Sequence, residues 1–134
     1  MPRVVLGAAA VLFAVFGFLF ALAPHWTAAT VDITLPTNTA TIDFVATYGG
    51  FEIGFAVFLF LCLRRPERVR LGLLASGCAV AGFAVTRAVM LVALGGAKPV
   101  MYGALAFETI CATLAFVVAR RAAAPSQGPP SGGP

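Results

Sequence analysis

Residues 44 to 63 read FVATYGGFEIGFAVFLFLCL, a run in which Glu52 is the only charged side chain. A helix needs about 20 predominantly apolar residues to cross the hydrocarbon core of a bilayer. The run therefore has the length and polarity of one membrane-spanning helix. A carboxylate inside such a helix is costly unless it is compensated, so Glu52 requires either a partner or a functional role.

The composition of the whole chain indicates the same class of protein. The chain has 134 residues, of which 60% are hydrophobic and 10% are charged, and its mean hydropathy is +0.98. Soluble domains carry about 25% charged residues. Four apolar stretches approach or exceed the length of a membrane span, at residues 4–23, 44–63, 71–94 and 101–119. The sequence predicts an all-α polytopic membrane protein, a bundle of four transmembrane helices.

Two segments bear on the domain organisation. The first apolar stretch resembles a secretory signal, but it is longer than the usual apolar region of about 15 residues and Pro24 follows the would-be cleavage site. We expect it to be retained as the first helix. We expect residues 1–121 to form the transmembrane domain and residues 122–134, rich in Pro, Gly and Ser, to form a disordered cytoplasmic tail.

The distribution of basic residues predicts the orientation in the membrane. Basic residues in short loops stay on the cytoplasmic side. Seven arginines fall on one side of the four spans, whereas Lys98 alone falls on the other. These are Arg3, Arg64, Arg65, Arg68, Arg70, Arg120 and Arg121. Both termini are therefore expected in the cytoplasm, and the formal charge of +4 indicates attraction to lipid headgroups rather than to nucleic acid.

The sequence carries no signature of an enzyme or a cofactor. Cys62, Cys78 and Cys111 are widely spaced within apolar stretches, and they lack the spacing of a metal or redox motif. We expect them to be free thiols that fill space. No nucleophile elbow, zinc-binding helix motif or phosphate-binding loop is present in the sequence. The prediction is a protein without cofactor or metal, and the balance is against an enzyme.

Two further charged residues, Arg87 and Glu108, lie within the apolar stretches. At ~1.5 Å per residue, Glu52, Arg87 and Glu108 are each roughly 10 to 13 Å from the outer end of their helix. Three charges from three helices at one depth predict a Glu-Arg-Glu cluster that faces the bundle interior in the outer half of the bilayer. Because two carboxylates would surround one guanidinium, one of the two glutamates is expected to carry a proton.

Residues around Glu52 fit such a cluster. Tyr48 lies one turn away on the same face, so its hydroxyl is predicted to donate to the carboxylate or to a bound polar group. Gly50 and Gly54 have the G-x-x-x-G spacing that allows close approach of a neighbouring helix. Together with the adjacent Gly49, they form the predicted helix-packing surface.

The motif ATYGGFEIGFAVFLF, the arginine of the third stretch and the FET of the fourth resemble the bacterial family of domain of unknown function 4345. The likeness covers residues 1 to about 121. It implies a four-helix protein of the bacterial inner membrane, similar in architecture to DoxX-like proteins, and it implies no activity. The motif positions are Tyr48, Gly49, Gly50, Glu52, Arg87 and Glu108. Relatives are expected to carry a basic residue before Tyr-Gly-Gly, where this chain has VAT.

Several functions are compatible with a polar intramembrane cluster. It could be a structural pin, within an accessory subunit of a larger membrane complex or a homo-oligomer. It could bind a small apolar molecule with a polar end, such as a lipid, quinone or isoprenoid. Proton-coupled transport of a small molecule is the alternative, because acidic residues in membranes serve in proton relays. Membrane lipids are expected partners and nucleic acid is not.

Overall fold

The computed structural model describes residues 1–122, and every regular element in this range is helical. The elements are α1 (Pro2–Leu22), the short α2 (Pro24–Ala29), α3 (Asn38–Leu63), α4 (Pro66–Leu94) and α5 (Pro99–Arg121). All except α2 are long and apolar enough to cross a membrane. The chain is a multi-pass membrane protein with four transmembrane helices, as predicted. Apart from Ala122, the predicted tail lies outside the described residues.

Prolines mark where most of these helices begin. Pro2, Pro24, Pro66 and Pro99 each occupy a first position of a helix, where the missing N–H costs nothing and the fixed φ angle fits. Thr37 starts α3 instead, since its hydroxyl accepts a hydrogen bond from the Ala40 N–H at 3.1 Å. This cap extends the predicted second span backwards to Asn38.

The segment between α1 and α3 contains a short helix followed by a turn. The β-branched runs of residues 24–41 favour an ordered loop or a short β-ribbon, whereas residues 24–29 form α2. The Thr27 hydroxyl donates to the carbonyls of Ala23 and Pro24, both at 3.0 Å, and satisfies carbonyls within this single helical turn. The chain then turns through Asp32, which adopts a positive φ of 61°, before Thr37 starts the next helix.

Helix α3 is irregular at the Tyr-Gly-Gly motif. Residues Val45–Gly50 form a π-helical turn, and regular α-helix resumes at Phe51. A π turn accommodates one extra residue in the helical ladder and is often found at functional sites. The irregular turn lies immediately before Glu52.

The helices pack as two antiparallel pairs, α1 with α3 and α4 with α5. We call one end of the bundle the arginine end, because it holds the seven arginines named above, and the other the loop end, because it holds α2 and Lys98. The buried core shared by the two pairs lies in the half nearer the arginine end. It comprises Leu6, Ala10, Phe13, Ala56, Leu59, Cys62, Val69, Leu73, Val118 and Ala119.

The half nearer the loop end is packed unevenly. In the first pair, Gly17, Thr27, Ala28, Phe44 and Gly49 are buried there. In the second pair, no residue between positions 85 and 111 is buried. The two pairs are joined at this end by an ion pair between Lys98 Nζ and Asp32 Oδ1 at 2.5 Å, with both side chains exposed.

The closest approach of α1 and α3 occurs at Gly17 and Gly49. A Cβ atom on Gly17 would lie 2.8 Å from the backbone nitrogen of Ile53, and one on Gly49 would lie 3.1 Å from that of Ala21. At Gly54 a Cβ would meet no atom within 4 Å, and at Gly50 only the Val45 carbonyl at 3.9 Å. Within the described chain, close packing therefore involves Gly49 rather than the predicted Gly50 and Gly54 pair, because the helix presents its other face to α1.

Candidate functional site

The three charged residues at membrane depth, Glu52, Arg87 and Glu108, each lie one helical turn beyond a buried alanine, in the direction of the loop end. Glu52 is four positions from Ala56, and Glu108 is four positions from Ala112. Arg87 is three positions beyond Ala84. Residues three or four apart share a face of a helix. Each charged residue therefore lies on the same helix face as the alanine that is buried nearer the arginine end.

Arg87 and Glu108 form a two-point ion pair between α4 and α5. Arg87 Nη2 lies 2.7 Å from Glu108 Oε1, and Arg87 Nε lies 3.0 Å from Oε2. Two parallel N–H···O contacts are the strongest arrangement available to a guanidinium and a carboxylate. The two charges compensate each other, which is the condition for placing either of them at membrane depth.

The third nitrogen of the guanidinium faces a methionine. Arg87 Nη1 lies 3.2 Å from the Met101 sulfur, a weak acceptor. Met101 is seven residues before Glu108, and this spacing of two turns puts both side chains on one face of α5. This spacing can be counted in the sequence. However, an apolar residue such as Met101 in an apolar helix does not indicate that it contacts an arginine.

Glu52 does not join this pair, contrary to the predicted three-residue cluster. No cationic side chain within residues 1–122 comes within 4.0 Å of its carboxylate. Its Cβ instead lies beside Gly17, 3.0 Å from where a Cβ on that glycine would stand. Because α3 packs mainly on α1 and much less on α4, which carries Arg87, equal depth did not bring Glu52 to Arg87.

The ring of Tyr48 is held by contacts with other aromatic rings. Its ring centroid lies 4.8 Å from that of Phe44 and 5.8 Å from that of Phe20. Among the hydrogen bonds of the described residues, none joins its hydroxyl to Glu52. The aromatic contacts hold the ring in place within the π-helical turn, and the hydroxyl stays available as donor and acceptor.

The loop-half site, defined as Glu52, Arg87, Met101 and Glu108, therefore holds a compensated ion pair and a separate carboxyl group. Arg87 can donate hydrogen bonds through Nη1, and Glu52 can accept them when ionised or donate one when protonated. Gly17, which sequence reasoning missed, sets how close Glu52 lies to α1. The side chains of the site thus offer hydrogen-bond donors and acceptors together with one ionisable carboxyl group outside the ion pair.

The three cysteines differ in their burial. Cys62 belongs to the core, Cys78 is exposed and Cys111 is half-buried, and all three are free thiols. Only Cys62 thus occupies the buried position expected of a space filler. In the part of the chain that the structure describes, no group of three His, Cys, Asp or Glu side chains is arranged to hold a metal ion.

Comparison with known proteins identifies a family. Neither a curated protein nor a solved structure matches the chain. The sequence model of the family described as "Domain of unknown function (DUF4345)" matches residues 1–119, which include all four transmembrane helices except the last two residues of α5. The chain therefore belongs to the family of domain of unknown function 4345.

Proposed function

We propose that the loop-half site binds the polar end of a small apolar molecule, such as a lipid, quinone or isoprenoid. The observation that carries this proposal is the incomplete enclosure of the ion pair. The side chains of Arg87 and Glu108 remain 28% and 13% exposed, and no residue between positions 85 and 111 is buried. Charged groups in hydrocarbon require enclosure or solvation, which a bound polar group would supply.

The donors and acceptors of the site define the chemistry of this molecule. Among residues 1–122, Arg87 Nη1 has only a thioether acceptor, so it favours a ligand oxygen such as a carbonyl or hydroxyl. The ligand must also tolerate Glu52, which has no cationic partner within residues 1–122 and disfavours a second anion nearby. A neutral polar end that both accepts and donates hydrogen bonds satisfies both residues. The apolar part of the ligand would contact the apolar helix surfaces and the surrounding lipid.

Native mass spectrometry after mild detergent extraction tests this proposal. We expect wild-type protein to retain a small apolar molecule, and Arg87→Gln and Glu52→Gln to retain less than about a tenth of it. Arg70→Gln and Asp43→Asn are matched controls, because they remove the same charges from exposed positions of the same helices. Both controls should retain the ligand. Equal loss in the controls, or no ligand in wild type, would contradict the proposal.

The isolation of Glu52 favours proton-coupled transport as the second candidate function. A carboxyl group without a cationic partner can take up and release a proton during a transport cycle. Protein reconstituted in liposomes should then show a proton flux that Glu52→Gln abolishes and Asp43→Asn preserves. Stoichiometric foreign subunits in the mass spectrum, with neither ligand nor flux, would instead indicate an accessory subunit of a larger membrane complex.

We further infer a bacterial inner-membrane protein with its arginine end in the cytoplasm. The support for this orientation is the ratio of seven basic residues at one end to Lys98 at the other. Under this orientation the loop-half site opens toward the outer leaflet. The sequence resemblance further implies an architecture similar to that of DoxX-like proteins.

A further inference from the structure

We propose that a groove at the arginine end is a binding site for the phosphate group of an anionic lipid. The groove lies at the turn between α3 and α4, and its volume is about 630 Å³. It is lined by Leu61, Arg64, Arg65, Pro66, Glu67 and Arg68. This site is separate from the loop-half site, because it lies at the opposite end of the bundle.

The positive charges of the groove are only partly offset within residues 1–122. Three guanidinium groups and the Glu67 carboxylate line it, which leaves a formal charge of +2. Among the described residues, none of these four side chains has an oppositely charged partner within 4.0 Å. All four are exposed. The guanidinium N–H groups of the three arginines are thus available to a ligand carrying one or two negative charges.

Arginine suits phosphate through its shape as well as its charge. The planar guanidinium offers parallel N–H groups that match two oxygens of a phosphate, whereas a lysine offers a single compact charge. Arg64 and Arg65 follow the last turn of α3, and Arg68 lies in the first turn of α4. The turn therefore brings three such forks to one concave surface.

A lipid fits this groove better than a soluble phosphate compound, because the lining changes from polar to apolar along α3. Leu61 precedes Arg64 by one turn and is 51% exposed. In a bilayer this leucine lies at the edge of the hydrocarbon region, and the arginines lie at headgroup level. An acyl chain can contact Leu61 while the phosphate contacts the arginines.

Arg120 and Arg121 provide a control at the same end of the bundle. They lie in the last turn of α5 and do not line the groove. Neutralising them removes two positive charges from the same membrane face, while neutralising the three groove arginines removes three. The triple variant still leaves four of the seven arginines against Lys98, so the orientation should be preserved.

The affinity of the purified full-length protein for an anionic lipid distinguishes a specific phosphate site from general attraction to the positively charged membrane face. The probe is phosphatidylglycerol titrated into neutral detergent micelles, with bound lipid counted by native mass spectrometry. We expect the triple variant Arg64→Gln, Arg65→Gln, Arg68→Gln to bind roughly tenfold more weakly than wild type. The corresponding triple lysine variant should bind about threefold more weakly, because it keeps charge and loses the forks. Arg120→Gln with Arg121→Gln should bind like wild type.

Three results would overturn the proposal. If the triple lysine variant binds as tightly as wild type, only charge matters and no guanidinium site exists. If the Arg120 and Arg121 variant loses as much affinity as the glutamine triple, the attraction is spread over the whole face. If roughly 10 mM inorganic phosphate, which screens charges only weakly, displaces the lipid completely while equal ionic strength of chloride does not, the ligand is a soluble phosphate compound.

Discussion

At the scale of single residues, two glycines of similar sequence context have opposite surroundings. Gly17 lies where α1 meets the backbone of α3, whereas a methyl group placed on Gly54 would meet no atom of the described chain within 4 Å. A glycine is needed where two helix backbones approach too closely for a Cβ, and elsewhere in a helix it only lowers helix stability.

We therefore expect opposite effects of adding one methyl group at these positions. Gly17→Ala should destabilise by about 1 to 3 kcal/mol, because its Cβ would press on Ile53 and Glu52. Gly54→Ala should be neutral or stabilise by up to about 1 kcal/mol. Thermal unfolding in detergent measures both. Equal losses would show that the close contact between α1 and α3 is not at Gly17.

The residues of the loop-half site show what the sequence could determine. The rise per residue predicts a common depth for Glu52, Arg87 and Glu108, and in the structure each lies one turn beyond a buried alanine. Depth does not determine which helices are neighbours. The pairing of α4 with α5 brings Arg87 to Glu108, whereas the pairing of α3 with α1 places Glu52 beside Gly17.

At the scale of elements, the spans were predictable and their irregularities were not. Apolar length alone located four helices within a few residues of their observed bounds. The π-helical turn Val45–Gly50 has no apolar signature, and it contains Gly49, whose close approach to α1 is equally invisible in the apolar pattern. The Thr37 cap can be recognised as a capping residue in the sequence, but it lies outside the apolar stretch from which the span was predicted.

The two helix pairs are joined at the loop end by Lys98 and Asp32. Both side chains are exposed, so the pair contributes little. We expect Lys98→Ala to lower the free energy of unfolding by less than about 1 kcal/mol, and the difference from wild type to vanish at about 1 M salt. Lys98→Arg is the matched control. A larger loss that persists in high salt would show that the pair is not a simple surface contact.

At the scale of the whole molecule, the arginine end and the loop end differ in charge and in packing. The arginine end combines the buried core with seven basic residues, and the loop end holds the loosely covered ion pair. The charge difference was evident in the sequence. The packing difference was not, because apolar composition does not show which helices are neighbours in each half of the bundle.

The charge difference predicts one orientation of the molecule in the membrane. A reporter that is active only in the cytoplasm should give signal when it is fused after Arg121, and no signal when it is inserted near Asp32. A reporter that is active only outside should give the reverse. Signal from the cytoplasmic reporter at Asp32 would contradict the orientation, and the loop-half site would then open toward the cytoplasm.

The central claim is that Arg87 and Glu108 act as one coupled pair from which Glu52 is separate. A double-mutant cycle in detergent-solubilised protein, read by thermal unfolding, tests it most directly. Arg87→Met or Glu108→Met alone should destabilise by roughly 3 to 5 kcal/mol, because each strands a charge, and the double variant should recover much of that loss.

The same cycle between Arg87→Met and Glu52→Gln provides the comparison. We predict a coupling energy of at least about 1 kcal/mol for Arg87 with Glu108, and less than about 0.5 kcal/mol for Arg87 with Glu52. An unchanged melting temperature in Arg87→Met, or equal coupling of Arg87 to both glutamates, would contradict the claim.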